Sequence, residues 1–185
     1  MTNKMQETKV TTGLVRFSYL NVWEPRAASE GQDPKYSVSL IIPKSDKKTI
    51  KKIEKAIENA KLAGKASKFN GKLPANLKTP LRDGDEERDD EAYENSYFLN
   101  ATSKTKPGVI DRSGNRILDQ EEIYSGCYGH ASINFYAFNV NGNKGIACGL
   151  NNIMKKEEGE YLGGRSTAES DFAELIGQDD DDDLL

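Results

Sequence analysis

The sequence is poor in the residues on which most enzymes depend. It has one histidine and two cysteines in 185 residues. His130 follows a glycine in a strand-like run and belongs to no Ser-Asp-His or Cys-His arrangement. Cys127 and Cys148 cannot fill a four-ligand zinc site by themselves. P-loop, GxGxxG and HExxH patterns are absent. No apolar run approaches the ~20 residues that span a bilayer. Residues 1–7 lack the apolar centre of a signal peptide. These absences lead us to expect a cytoplasmic protein with no membrane partner, no metal and no cofactor, and no enzyme. Hydrophobic residues, at 36%, also fall short of an ordinary globular share, which points to polar segments outside a normal core.

What the sequence does have is an uneven charge distribution. From Glu169 to the end there are eight acids and no base; the preceding 168 residues carry all 26 bases against 22 acids. A mildly basic body with an acidic end suits nucleic-acid or partner binding. The division is drawn as a folded domain over 1–165 and a disordered acidic tail over 166–185. The tail has too little apolar surface to fold alone.

The body reads as mainly β. Lys9 to Glu24 is rich in β-branched and aromatic residues and predicts a long strand, bent at Gly13, followed by a loop to Pro34. In Lys35 to Ile42, Tyr36, Val38, Leu40 and Ile42 alternate with Lys35, Ser37 and Ser39, as in a half-buried strand that Pro43 ends. Ile50, Ile53, Ile57 and Ala60 recur at helical spacing, with Ser45 as the expected cap and Gly64 as the expected stop. Residues 65–96 read as a long irregular connection that holds an acidic stretch. Strands resume at Tyr97–Ser103 and, around a turn at Ser113-Gly114-Asn115, at Val109-Ile110 and Ile117-Leu118. Cys127–Val140 and Lys144–Ile153 then flank Asn141-Gly142, a strong hairpin signal. A two-residue turn there places Cys148 opposite Phe135, which argues against a Cys127–Cys148 disulfide. The order of elements predicts a five-stranded antiparallel OB-like barrel with one inserted α-helix and additional hairpin and loop elements.

Single strands of nucleic acid are held by cations that track phosphates and aromatic faces that stack bases. The strands interleave both. Candidates are Arg16, Tyr19, Trp23, Lys35, Tyr36, Lys104, Lys106, Arg112, Arg116, Tyr124 and Lys144, with Tyr128, His130, Asn134 and Tyr136 on the even face of the long strand. The odd positions Gly129, Ala131, Ile133 and Phe135 form its core face. The tail offers Phe172, the run Asp179, Asp180, Asp181, Asp182, Asp183, and Leu184 and Leu185. These can compete for a basic groove or present an acidic-apolar end to a partner.

The stretches FLNATSKTKPGVID (98–111), YSGCYGHASINFYAFNVNGNKGIACGLNNI (124–153) and LGGRSTAESDF (162–172), with SYLNVWEP (18–25) and YSVSLIIPK (36–44), closely resemble a family of phage and prophage single-stranded-DNA-binding proteins. The resemblance covers nearly the whole chain. It implies an OB fold, sequence-independent binding and protection of single-stranded DNA in phage replication or recombination, and residence in the host bacterial cytoplasm. It also implies an acidic tail that docks phage or host replication and recombination proteins. Tails of this kind often end in an aromatic residue, whereas this one ends in Leu184-Leu185, which leaves the docking partner open, as it leaves a homodimer. Two other readings stand beside it. One is a metal-dependent nuclease or recombination enzyme using the acids of 83–94, although a crowded loop is a poor two-metal scaffold. The other is a purely protein-binding adaptor.

Overall fold

The computed structural model describes residues 7–27, 29–162 and 171–177. Its strands are β1 (Lys9–Thr11), β2 (Val15–Arg26), β3 (Lys35–Pro43), β4 (Arg82–Asp83), β5 (Ser96–Ser103), β6 (Gly108–Ile110), β7 (Tyr128–Val140) and β8 (Asn143–Glu157). The helices are α1 (Lys47–Ser67) and the short α2 (Gly84–Glu87), followed by a 3-10 turn at Glu91–Tyr93.

Five of these strands close a ring in the order β7, β2, β3, β5, β8 and back to β7. The pairs are antiparallel except β5–β8, where Ala101 meets Cys148 and Thr102 meets Gly149 in parallel. The closing pair thus departs from the all-antiparallel expectation. The alternation in β3 explains its two faces. Val38, Leu40 and Ile42 turn inward, where they meet Phe17, Leu99, Ala101, Ile133 and Phe135 in the main core. Replacing a residue as enclosed as Leu99 with alanine would cost about 2–5 kcal/mol.

Gly13 separates β1 from β2, and its N–H donates to Thr49 Oγ1 at 2.8 Å. Thus the predicted bend is a full break between two strands. β2 continues through Pro25 to Arg26, beyond the expected end at Glu24.

The helix starts one residue later than the sequence suggested. Asp46 is the cap, its side chain accepting from Thr49 N at 3.2 Å. An aspartate places a full negative charge at the helix start, which the Ser45 hydroxyl would not. Gly64 does not stop α1. A β-carbon there would lie 2.3 Å from Ala137 Cβ, so the glycine lets the helix pass close to β7. The apolar stripe of Ile50, Ile53, Ile57 and Ala60 is buried, and its seven lysines lie elsewhere on the helix. No acid occupies its first turn. Lysine pairs at i,i+4 each cost about 0.2–0.5 kcal/mol.

The connection over 65–96 is more ordered than expected. It buries Phe69 and Tyr93, bridges Lys78 to Gly145, and adds β4 and α2. Asn141 (φ 51°) and Gly142 (φ 86°) form the hairpin turn, both in the left-handed region that Asn-Gly tolerates. Phe135 pairs with Cys148 as the turn arithmetic required, and Cys127 and Cys148 are free, buried thiols. Burial pushes both thiols above their ordinary range.

Candidate nucleic-acid interface

The outer face of the ring carries two rows of register partners, and they differ in kind. The first runs Asn21 (β2), Ser37 (β3), Thr102 (β5), Gly149 (β8) and Asn134 (β7). Small polar side chains leave this row open. Between it and the 27–34 loop lies a groove of about 730 Å³ lined by Asn21, Ser37, Thr102, Arg26, Lys35 and Lys104, among others. Arg26 faces Lys35 across β2 and β3, and Lys104 follows the end of β5. Asp33 is the one acid in the lining among the described residues, so the balance favours a polyanion.

The second row runs Tyr128 (β7), Arg16 (β2), Ile41 (β3), Phe98 (β5) and Arg82 (β4). Its apolar members are covered. Tyr93 is fully buried against Ile41 and Phe98, and Leu162 packs on the same cluster. The Tyr93 and Phe98 rings meet edge to face at 5.1 Å. The Tyr93 hydroxyl donates to Ser39 Oγ at 3.2 Å, and Arg88 Nη2 donates to the same hydroxyl at 3.4 Å. The Arg88 guanidinium lies within 5.6 Å of the ring centres of Tyr19, Tyr93 and Phe98. Its pKa is raised, chiefly by the bond to Tyr93.

The acids of 83–94 hold this cover in place. Lys44 Nζ lies 2.8 Å from both Asp83 Oδ1 and Asp85 Oδ2. These bonds push Lys44 upward and Asp85 below the usual carboxylate range. Asp83 and Asp90 also cap α2 and the 3-10 turn. Among the described residues no group of three or more His, Cys, Asp or Glu is arranged to hold a metal ion.

The predicted site residues therefore separate. Lys35 and Lys104 line the groove. Asn134 and Tyr136 lie on the outer face beyond Gly149; Asn134 accepts from Thr8 Oγ1 at 2.8 Å, and Tyr136 is exposed. Tyr36 pairs with Ser103 at the groove end of β3, and Lys106 lies 5.3 Å from the ring of half-buried Trp23. Tyr19 is 60% exposed at φ 46°, with Arg88 beneath its ring. A tyrosine in that region is strained, and here it sits at the bulge between Ser18 and Asn21.

The others lie away from the groove. Arg16 donates to Gly126 O at 3.0 Å and Glu160 O at 2.8 Å, and its guanidinium lies over Tyr128. Tyr124 bonds Glu158 and Gly159; burial first, and then the bond to Glu158, raise the phenol, while Lys155 holds Glu158 low. His130 Nδ1 lies 3.0 Å from Thr12 O. Arg112 lines a separate depression among Asp111, Glu122 and Glu157, Arg116 bridges Ile110, and Lys144 is the second residue of β8, beside the hairpin turn. In the tail, Phe172 is exposed, whereas Asp179 to Asp183, Leu184 and Leu185 lie outside the described residues.

Arg26, Asn21, Ser37 and Thr102 were missed because none is aromatic and three are uncharged. For Ser37 the signal was the polar side of the KYSVSLII alternation.

Residues 8–185 match the sequence model of a family described as the ssDNA-binding protein of Enterobacter phage Enc34. The chain belongs to this family. The Enc34 protein solved in complex with ssDNA is 27% identical, with a TM-score of 0.74 over 84% of this chain and 90% of that one. A putative protein p50 of Acyrthosiphon pisum secondary endosymbiont phage 1 is 28% identical over 96% of this chain and 98% of its own length. The single-stranded-DNA-binding protein gp2.5 of bacteriophage T7, at 18% identity and a TM-score of 0.59 over 92% of this chain and 96% of that one, shares the fold. The Enc34 family and the closed five-strand ring together make the fold OB-like. No helix among the described residues is long and apolar enough to cross a membrane.

Proposed function

We propose that this protein binds single-stranded DNA without reading its sequence, through the groove over Asn21, Ser37 and Thr102. The observation that carries the reading is the open polar row with Arg26, Lys35 and Lys104 at its end. Membership of the Enc34 family supports it. Phosphates meet the three cations, and bases stack on exposed rings such as Tyr136 at about 1–3 kcal/mol each. Neither contact selects among bases, because every base has a π face and every nucleotide a phosphate. The protein acts by coating, not by catalysis, in phage DNA replication or recombination inside the host cell.

Residues 1–165 form the binding domain and 166–185 the acidic tail in this reading. The tail competes with DNA for the cations and presents its acidic-apolar end to replication or recombination proteins.

The test is a titration with an unstructured oligonucleotide and its duplex at two salt concentrations, for the full chain and for one ending at Ser170. Trp23, the single tryptophan, supplies the fluorescence signal beside a gel shift. Salt-sensitive binding to the single strand, tighter without the tail, is the expected result. Absence of binding at low salt would overturn the reading and leave the adaptor.

A further inference from the structure

Tyr19 is out of place as a structural residue. Among the described residues four non-glycine positions have a positive φ, and the other three are asparagines (Asn70, Asn95 and Asn141), which tolerate it. A tyrosine at φ 46° is strained, and a ring 60% exposed recovers little through burial. Its partner is costly as well. Arg88 Nε is buried without a hydrogen-bond partner among the described residues. Stability does not account for two such costs at one contact.

The contact has the form of a stacking platform. Arg88 follows α2, its N–H donating to Gly84 O at 3.1 Å. Its guanidinium carbon lies 4.6 Å from the centre of the Tyr93 ring and 5.6 Å from that of Phe98. Two rings support it, so its seat does not hang on Tyr93 alone. The same carbon lies 5.2 Å from the centre of the Tyr19 ring. The Tyr19 ring is thus held by a cation while more than half of it faces solvent. A ring fixed in advance gives up little rotamer freedom when a base stacks on it.

The platform adjoins the groove. Asn21, the β2 member of the open row, donates through Nδ2 to Tyr19 O at 3.1 Å and to Ser37 Oγ at 3.3 Å. The bulge between Ser18 and Asn21 re-aims the Tyr19 side chain, and two residues of strand span about 7 Å. A single strand that crosses Asn21 from the end with Arg26, Lys35 and Lys104 therefore arrives at this ring.

We propose that Tyr19 stacks one base of the bound single strand and that Arg88 is the positioning residue that holds the ring for it. This role rests on the groove being the DNA site, and it gives the strand a path: cations at one end, Asn21 between, the Tyr19 ring at the margin of the cover. The acidic 83–94 stretch then has a second task, since it delivers the cation under the ring.

The first measurement is photo-cross-linking of the full, unaltered chain to an oligonucleotide carrying iododeoxyuridine, with the adducts located by mass spectrometry. An adduct on Tyr19 is expected; adducts that never include Tyr19 would overturn the proposal. Affinity then separates the two roles. Tyr19→Phe should bind like the parent. Tyr19→Ala and Tyr19→Gly should each bind about tenfold more weakly, the size of one base stack. Tyr19→Gly should resist urea better than Tyr19→Ala, because glycine adopts this φ freely, and it carries the test if the alanine variant unfolds. The salt dependence should stay that of the parent, because a stack holds no phosphate. Arg88→Gln should weaken the parent severalfold and leave Tyr19→Ala unchanged, as a residue acting through the ring must. Parental affinity in Tyr19→Gly, or an equal loss from Arg88→Gln with and without the tyrosine, would overturn the assignment. A parent that binds no single strand at low salt would sink the groove reading itself; a parent that binds while Tyr19→Gly loses nothing sinks only the platform.

Discussion

Two rows of the same outer face, a few residues apart along each strand, have opposite fates. At Ser37 and Thr102 the row is small, polar and open to a groove. At Ile41 and Phe98 it is apolar and sealed by Tyr93 and Leu162. β3 and β5 continue in unbroken register from one row to the other, so strand geometry does not explain the difference there. The side chains do. Ile41 and Phe98 on an outer face need a cover to escape water, and the 82–95 connection with Leu162, in the segment after β8, supplies it. Where the strands place serine, threonine and asparagine, no cover is needed and a ligand has room. The cover confines the candidate interface to one end of the face.

The largest expected effect comes from unsealing the covered row. Tyr93→Ala removes a fully enclosed ring, its edge contact with Phe98 and the acceptor of Arg88. A loss of about 3–5 kcal/mol is expected, read by urea denaturation, with dye binding at the exposed Ile41 and Phe98. DNA affinity of the folded fraction should stay near that of the parent. Wild-type stability would mean that the 82–95 segment is not a structural cover.

The open row should respond in the opposite way. Changing Arg26, Lys35 and Lys104 together to alanine leaves stability within about 0.5 kcal/mol, since all three are exposed. Without these cations, three phosphates of a bound single strand keep their counterions. The slope of log K against log salt then flattens by about 2, roughly a hundredfold in affinity near ~0.1 M salt. An unchanged slope in a folded variant would move the DNA path elsewhere on the molecule.

The contrast between the rows was half legible in the sequence. The alternation in KYSVSLII gave the inward face of β3, and the Asn-Gly turn gave the register of β7 and β8 down to the Phe135–Cys148 pair, because both signals are local. Ile41 breaks that alternation on the polar side, and Tyr93 sits in an acidic stretch. Together they signal a second small core, but pairing them requires knowing that a distant connection folds back. The same limit applies to Arg16 and Tyr124. Their types suit DNA, yet their partners at Gly126, Glu158 and Glu160 are more than thirty residues away and appear only in three dimensions. Residue chemistry nominated the candidates; tertiary contacts separated those on the groove from those that hold the fold.

The smallest expected effect concerns the electrostatic latch of the cover. Asp85 is held below the usual carboxylate range, first by its bond to Lys44 and then by the N–H of Asn95. Its folded value is lower than its unfolded one, so its contribution is complete above the ordinary aspartate value near ~3.9 and fades as pH falls through the lowered folded value. Lys44 stays charged throughout that window, because its pKa is raised. The latch is solvent-exposed, so salt should weaken it as acid does. Hydrogen exchange should therefore show amides of 82–95 opening before those of β3 and β5 as pH drops below about 4. Asp85→Asn should remove the pH dependence of that early opening while Tyr93 keeps the segment seated. If the segment opened with the same pH dependence in Asp85→Asn, the latch would lie in another acid, and Asp83, which shares Lys44, is the next to replace.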